Sequence, residues 1–389
     1  MTYKTMMMAA LLSATALGGA QAADPIKIGV VTPLSGTYAG IGQQVKWGLD
    51  LATKEVNAAG GIMSRQIELI YEDEEANPPA AVQKADKLFQ SNKVDFLTGT
   101  VNSASTLAVG QVAERAGKLT ATTVSFADPI TGDKCSPNVF RVNAKAGQQS
   151  AALAAWLAKD KPKAKIFFLG PDYLMGRSTV AAFKEAAEKT GATSLGEVFA
   201  PLDSKDYSQY FGQIRAAQPQ VLYTSVAGND TVRLLTQMQE FGLLRNLLVL
   251  GASGTVTAQN IAAIGKAANG FATGVGYSAE LNTPENKKFV EAFKAAYKTE
   301  PDLYGADSYG LIYAYKAAVE KAKTTDTDKV RDALRGLTWS TPQGQKTIRA
   351  GDHQAIQTMY VAQVTDGKFK IASEVKGEDA IGPDTCTRF

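Results

Sequence analysis

The chain has 389 residues, 45% of them hydrophobic and 20% charged, with a formal net charge of +3; this is ordinary globular composition, and the length favours two domains over one. So small and scattered a charge excludes a nucleic-acid-binding surface. One histidine and two cysteines exclude His-rich and Cys-based zinc sites. Residues 1–22 read as a secretory signal: Lys4, then an apolar run from Met6 to Leu17 broken by Ser13 and Thr15, then the small-x-small pattern Ala20-Gln21-Ala22. The run falls well short of the ~20 apolar residues a membrane span needs. In an exported chain, two cysteines favour one Cys135–Cys386 disulfide over two unpaired thiols.

After the signal, strands and helices alternate. Ile26, Ile28 and Val30 mark a first strand, and the helix that follows carries Val45, Leu49, Ala52 and Val56 on one face, ended by Gly60-Gly61. The pattern then predicts a strand over 66–71, a helix over 79–91, a strand over 94–98, a helix over 105–116 and a strand over 119–124. A second series starts after Phe140-Arg141-Val142. It has helices over 147–159 and 177–190, strands over 165–169, 221–226 and 247–250, and a helix marked by Tyr207, Tyr210, Phe211 and Ile214. Asp230 is read as the cap of a helix with Leu234, Leu235, Met238 and Phe241 at its core positions. The fold class is therefore α/β: two lobes of similar architecture around parallel sheets with right-handed crossovers. In such sheets, ligands sit outside the carboxyl ends of the strands.

Several strand-end loops resemble catalytic motifs and fail on inspection. The first loop has Gly40 and Gly42 but Val45 where a dinucleotide fingerprint needs glycine. Gly170 to Ser178 has five residues between its glycines and Arg177 in place of the P-loop lysine. The run from Gly251 to Gly254 lacks a spacer for a nucleophile elbow. The acidic run Tyr71 to Asn77 reads as a solvated strand end, Asp307 as a surface acid, and His353 as a hydrogen-bonding group in a polar turn. No catalytic set, metal site or cofactor site is assembled from these residues. Loops rich in Ser, Thr, Gly and Asn at helix starts suit anion capture by backbone N–H groups and hydroxyls, so the reading is a binder of a small carboxylate-bearing ligand.

The stretch from Ile26 to Thr100, with "SGTYAGIGQQVKWGLDLATKEVNAAGGI" inside it, resembles the leucine/isoleucine/valine-binding type of periplasmic solute receptor, as does "TGDKCSPNVFRVN". The resemblance runs over essentially the whole mature chain. It implies the type I periplasmic-binding-protein fold, two Rossmann-like lobes joined by three crossings near residues 142–146, 273–278 and 348–354. The first lobe would combine 24–143 with 277–350, and the second 144–276 with 351–389. It also implies a periplasmic monomer that closes on a small ligand and docks onto a membrane ABC permease/ATPase complex. The alternative is the same fold serving as a ligand sensor for a membrane signalling partner.

Carried over position by position, the resemblance puts the carboxylate-holding hydroxyl on Ser103, a backbone carbonyl on Val124, and a ligand threonine on Phe126. In the second lobe, the aromatic of the "YG" turn falls on Met175, with Tyr173 two residues earlier, and the tyrosine after the next strand becomes Ala227. Ser35, Gly36 and Tyr38 would line the cleft mouth. The acid that pairs with an amino acid's ammonium falls on Ser253, and burying an ammonium without a carboxylate is costly. Asp230 and Asp307 are the candidates to replace it. Phe126, Met175 and Ala227 imply apolar walls, which fit an aromatic carboxylate such as a hydroxybenzoate. The same replacements also fit a pocket rearranged around a branched-chain or other apolar amino acid.

Overall fold

A computed structural model describes residues 24–389, so the predicted signal at 1–22 lies outside the described residues. The first lobe begins with β1 (Ile26–Thr32), α1 (Ala39–Ala58), β2 (Ile67–Asp73), α2 (Pro78–Gln90), β3 (Phe96–Thr98), α3 (Ser103–Arg115), β4 (Leu119–Thr122) and β5 (Val139–Arg141). Its five strands are parallel, in the order β2-β1-β3-β4-β5. β1 is apolar and nearly all buried because helices cover both faces of a parallel sheet. Val45, Leu49, Ala52 and Val56 form the buried face of α1, as their spacing predicts.

The chain then crosses to a second series, α4 (Ala146–Asp160), β6 (Lys165–Pro171), α5 (Leu174–Lys189), β7 (Thr193–Ala200), α6 (Ser208–Ala217), β8 (Val221–Thr224), α7 (Asn229–Glu240), β9 (Leu248–Gly251), α8 (Ile261–Ile264) and β10 (Ala272–Val275). These strands run β7-β6-β8-β9-β10, the same connectivity as in the first lobe. In each lobe the order reverses between two strands, β1 and β3 in one and β6 and β8 in the other. The crevices outside those strand ends are where such sheets hold ligands.

Residues 284–356 return to the first lobe as α9 (Pro284–Tyr297), α10 (Leu303–Ala322), α11 (Thr327–Leu334), β11 (Thr338–Thr341), β12 (Gly344–Ile348) and β13 (Ala355–Ile356). A last crossing leads to β14 (Met359–Thr365) and β15 (Lys368–Val375), which add two antiparallel strands to the second sheet, and to α12 (Gly377–Ala380). One boundary is corrected. Ile348 pairs with Ala355, and Gln354 bridges to Arg141, so residues 351–356 stay with the first lobe and the last crossing comes after them. The tail also returns there, where Cys386 is bonded to Cys135 with their Cα atoms 5.7 Å apart.

Three polar readings are corrected as well. Glu74, inside the run taken as solvated, is fully buried and accepts a bond from Val101 N at 2.9 Å; burial pushes its carboxyl up to about 7. Asp307 is no surface acid: it is buried, paired with Lys346 and hydrogen-bonded by Gln343 at 2.8 Å. Asp230 is not the cap of α7, since Gly228 holds that position at φ +63°, ψ −140°. His353 is hydrogen-bonded as read, and it is fully buried.

Candidate functional site

Between the lobes lies a narrow, nearly closed cleft with about 20 Å³ of free space. The first lobe supplies Tyr38, Ile41, Val101, Val124, Phe126 and Tyr304, and the second supplies Tyr173, Met175, Ser225, Ala227, Ala252 and Gly254. Tyr38 and Val101 follow the strands at the first reversal point, while Tyr173, Ser225 and Ala227 follow those at the second. The walls are mostly apolar. Phe126 and Tyr304 stack with centroids 6.1 Å apart. Glycine at 254 makes room for them: a Cβ there would sit 2.0 Å from the Tyr304 hydroxyl.

Contacts across the cleft draw the two faces together. The hydroxyls of Tyr38 and Tyr173 are 2.9 Å apart, and Thr37 Oγ1 donates to Asp203 at 3.0 Å. Gly228 (φ +63°) lies against the opposite loop so closely that a Cβ would meet Thr37 O at 2.6 Å. Burial raises the pKa of Tyr38, Tyr173 and Tyr304, so all three stay protonated donors at neutral pH.

The cleft's polarity comes from the backbone and from the nearby Asp230 carboxylate, whose field adds to the burial that raises the pKa of Tyr38 and Tyr173. The amino-terminal ends of α1, α3, α5, α7 and α10 all contribute to the wall, through Tyr38, Val101, Tyr173, Ala227 and Tyr304. At α1, α5 and α7 no side chain caps the end. Their first-turn N–H groups and the positive end of each dipole therefore favour an anion. Among the residues lining this cleft there is no Asp, Glu, Lys or Arg.

Sequence comparison gives the architecture its family. Residues 25–368 match the family described as periplasmic binding protein. The chain belongs to that family. Its relatives include the leucine-, isoleucine-, valine-, threonine- and alanine-binding protein of Pseudomonas aeruginosa, 27% identical over 87% of this chain and 91% of that one. Among solved structures, an ABC-transporter solute-binding protein from R. palustris in complex with benzoate is 26% identical with a TM-score of 0.84, covering 90% and 96% of the two chains. A solute-binding protein from Rhodopseudomonas palustris BisB5 in complex with 3,4-dihydroxybenzoic acid is 25% identical with a TM-score of 0.85, covering 91% and 98%. This periplasmic binding protein is accordingly an ABC-transporter substrate-binding protein by kinship, in a family of solute-binding receptors.

Of the residues singled out in the sequence, Tyr38, Val124, Phe126, Tyr173, Met175 and Ala227 line the cleft of this binding protein. Ser103 and Ser253 do not. Ser103 is fully buried at the start of α3, and its Oγ accepts a 3.4 Å bond from Ala127 N. Ser253 faces a different cavity. Ser35 turns outward to Asp73, at 2.7 Å. Neither replacement acid reaches the cleft either. Asp230 accepts from Asp203 N at 2.8 Å and pairs with Arg233, and Asp307 pairs with Lys346. Sequence reasoning missed Ile41, Val101, Ser225, Ala252, Gly254 and Tyr304. The strand-end rule could have found Ser225 and Ala252, but Tyr304 comes from a helix after the second crossing, to which no strand pattern points.

Proposed function

We propose that the protein captures a small carboxylate with an apolar, preferably aromatic, body between its lobes, and that closure of the lobes presents it to a membrane ABC permease. The reading includes export to the periplasm, action as a monomer and no catalysis. One observation carries it: uncapped helix ends converge on an apolar cleft that contains no acid. A carboxylate would be held by N–H groups and by the hydroxyls of Tyr38 and Tyr173, and Phe126, Met175, Ala227 and Tyr304 would pack against its body. An amino acid would leave its ammonium facing apolar walls, at a cost of several kcal/mol. The benzoate bound by the R. palustris relative supports this choice. Ligand that bridges both faces stabilises the closed form by its differential affinity for that form.

The test is thermal unfolding of the mature protein with benzoate, 4-hydroxybenzoate, leucine or valine added separately. A ligand at 100 times its Kd adds about 2.7 kcal/mol, which for a chain of this size is a rise of roughly 5–10 °C. The expected result is a rise with the benzoates and none with the amino acids. Stabilisation by leucine alone sinks the aromatic reading.

A further inference from the structure

A larger cavity of about 200 Å³ lies between the lobes, beside the crossing that follows β10. It shares no lining residue with the cleft, although the two are separated by single residues: Ala252 and Gly254 face the cleft while Ser253 faces the cavity, and Tyr304 faces the cleft while Asp302 and Leu303 face the cavity. Three residues of its lining carry a buried oxygen with no hydrogen-bond partner in the protein: Asp302 Oδ2, the Tyr277 hydroxyl and Ser253 Oγ. All three residues are at least nine-tenths buried. Asp302 Oδ1 is occupied, accepting from Tyr304 N and Gly305 N as the cap of α10, so Oδ2 is its one unused acceptor. The field of Asp302 reaches the Tyr277 hydroxyl and adds to the burial that raises its pKa. Glu280 and Glu300 stand exposed on the lining, opposed by the single base Lys368, and Val256, Ile261 and Val275 supply apolar wall.

Left unmet, each such oxygen costs on the order of 1–3 kcal/mol, and a carboxylate costs more. The group that meets a buried carboxylate oxygen and two hydroxyl oxygens is a cationic donor with several N–H bonds. Apolar wall around it calls for a short hydrocarbon body. We propose that this cavity is a second small-molecule site, one that takes a primary ammonium group on a short apolar chain, with the ammonium bound by Asp302 and Tyr277. Neighbouring negative charge favours a bound cation here over any anion. The acid-free cleft has the opposite preference, so this inference does not depend on the carboxylate reading.

The experiment is calorimetric titration of the mature protein with n-butylammonium chloride, with n-butanol and sodium chloride as controls. Saturable binding of n-butylammonium, with none for n-butanol, is the expected result. Asp302→Asn keeps a capping oxygen and removes the charge, so it should weaken n-butylammonium binding about tenfold or more. Tyr277→Phe removes only the hydroxyl and should weaken it by a few fold, and it carries the test if the Asp302 variant fails to fold. Benzoate binding should be unchanged in both variants. No saturable binding of n-butylammonium, or equal binding by wild type and both variants, overturns the proposal whatever the benzoate result.

Discussion

The second lobe is built mainly from one run of chain, Ala146 to Val275, and is held by two apolar clusters, whereas the first lobe is gathered from three separated stretches with polar groups at each seam. Where β12 returns, Lys346 pairs with buried Asp307 and donates to Val142 O at 3.0 Å. Along the sheet edge, buried Arg141 donates to Gln354 at 2.5 Å, Ala127 O at 2.7 Å and Thr131. At the tail, His353 stacks on Phe140 with centroids 4.0 Å apart, and Phe389 covers its other side. Charged groups are costly inside a protein, and apolar substitutes often match or exceed their stability. A paired charge, however, accepts few alignments. The difference teaches that, where distant segments must meet in one register, directional contacts are added to the apolar packing that joins α10 to α1 in the first lobe's own core.

The largest expected effect tests the first seam. Lys346→Met leaves Asp307 buried without its cation and should cost about 3–5 kcal/mol in urea unfolding. The double change with Asp307→Leu should recover most of it. A loss below about 1 kcal/mol in the single variant would show that the pair does not hold the seam.

Next comes the tail. Replacing both Cys135 and Cys386 by Ser should cost about 2–5 kcal/mol; the loop they close spans 251 residues. An unchanged urea midpoint would mean that Arg388–Glu114 and the aromatic stack suffice to keep the tail in place.

The pH test sharpens the same region. Nδ1 of His353 lies 3.1 Å from Val139 O and Nε2 accepts from Arg335 at 3.0 Å, which fixes a neutral ring. Burial, opposed by the Val139 bond and aided by Arg335, lowers its pKa to about 4. The unfolded chain then binds the extra proton between the unperturbed value near ~6.5 and about 4, so stability falls as pH drops through that window. Buried carboxyls such as Asp302, pushed up to about 7, have the opposite sign. The measurement is therefore the stability difference between wild type and His353→Asn. The wild type should lose up to about 3 kcal/mol relative to the variant between pH 6.5 and 4, and a difference independent of pH contradicts the neutral ring.

The smallest effect concerns the second lobe's contact with the first. Gly228→Ala puts a methyl against Thr37 and should weaken ligand binding about tenfold, near ~1.4 kcal/mol, by opposing closure. Equal benzoate affinity in wild type and variant would remove this loop from the closing surface.

Much of this was legible where a local rule applied. The apolar spacing of α1 gave its buried face, and strand alternation gave both parallel sheets. Six of the eight positions proposed for the site line the cleft. The misreadings concern polar residues whose environment is set by distant chain. Asp307 looked like a surface acid because its partner lies 39 residues away, and Glu74 looked solvated because Val101 N covers it from another loop. Asp230 has the composition of a cap, yet the cap position has φ +63° and ψ −140°, a backbone that only glycine takes without strain. β7 lies half exposed at the sheet edge, so its apolar pattern is weak.

The bond between Cys135 and Cys386 makes most of the molecule a covalent ring. Every strand of the second lobe and every returning element of the first lies on the arc between the two cysteines. A single peptide bond cut anywhere on that arc leaves one covalent molecule, with the same mass but for the added water and with both lobes still tethered. A receptor exposed to proteases thus keeps its parts together after a nick in any surface loop of the arc, and the cut shows on a gel only after reduction.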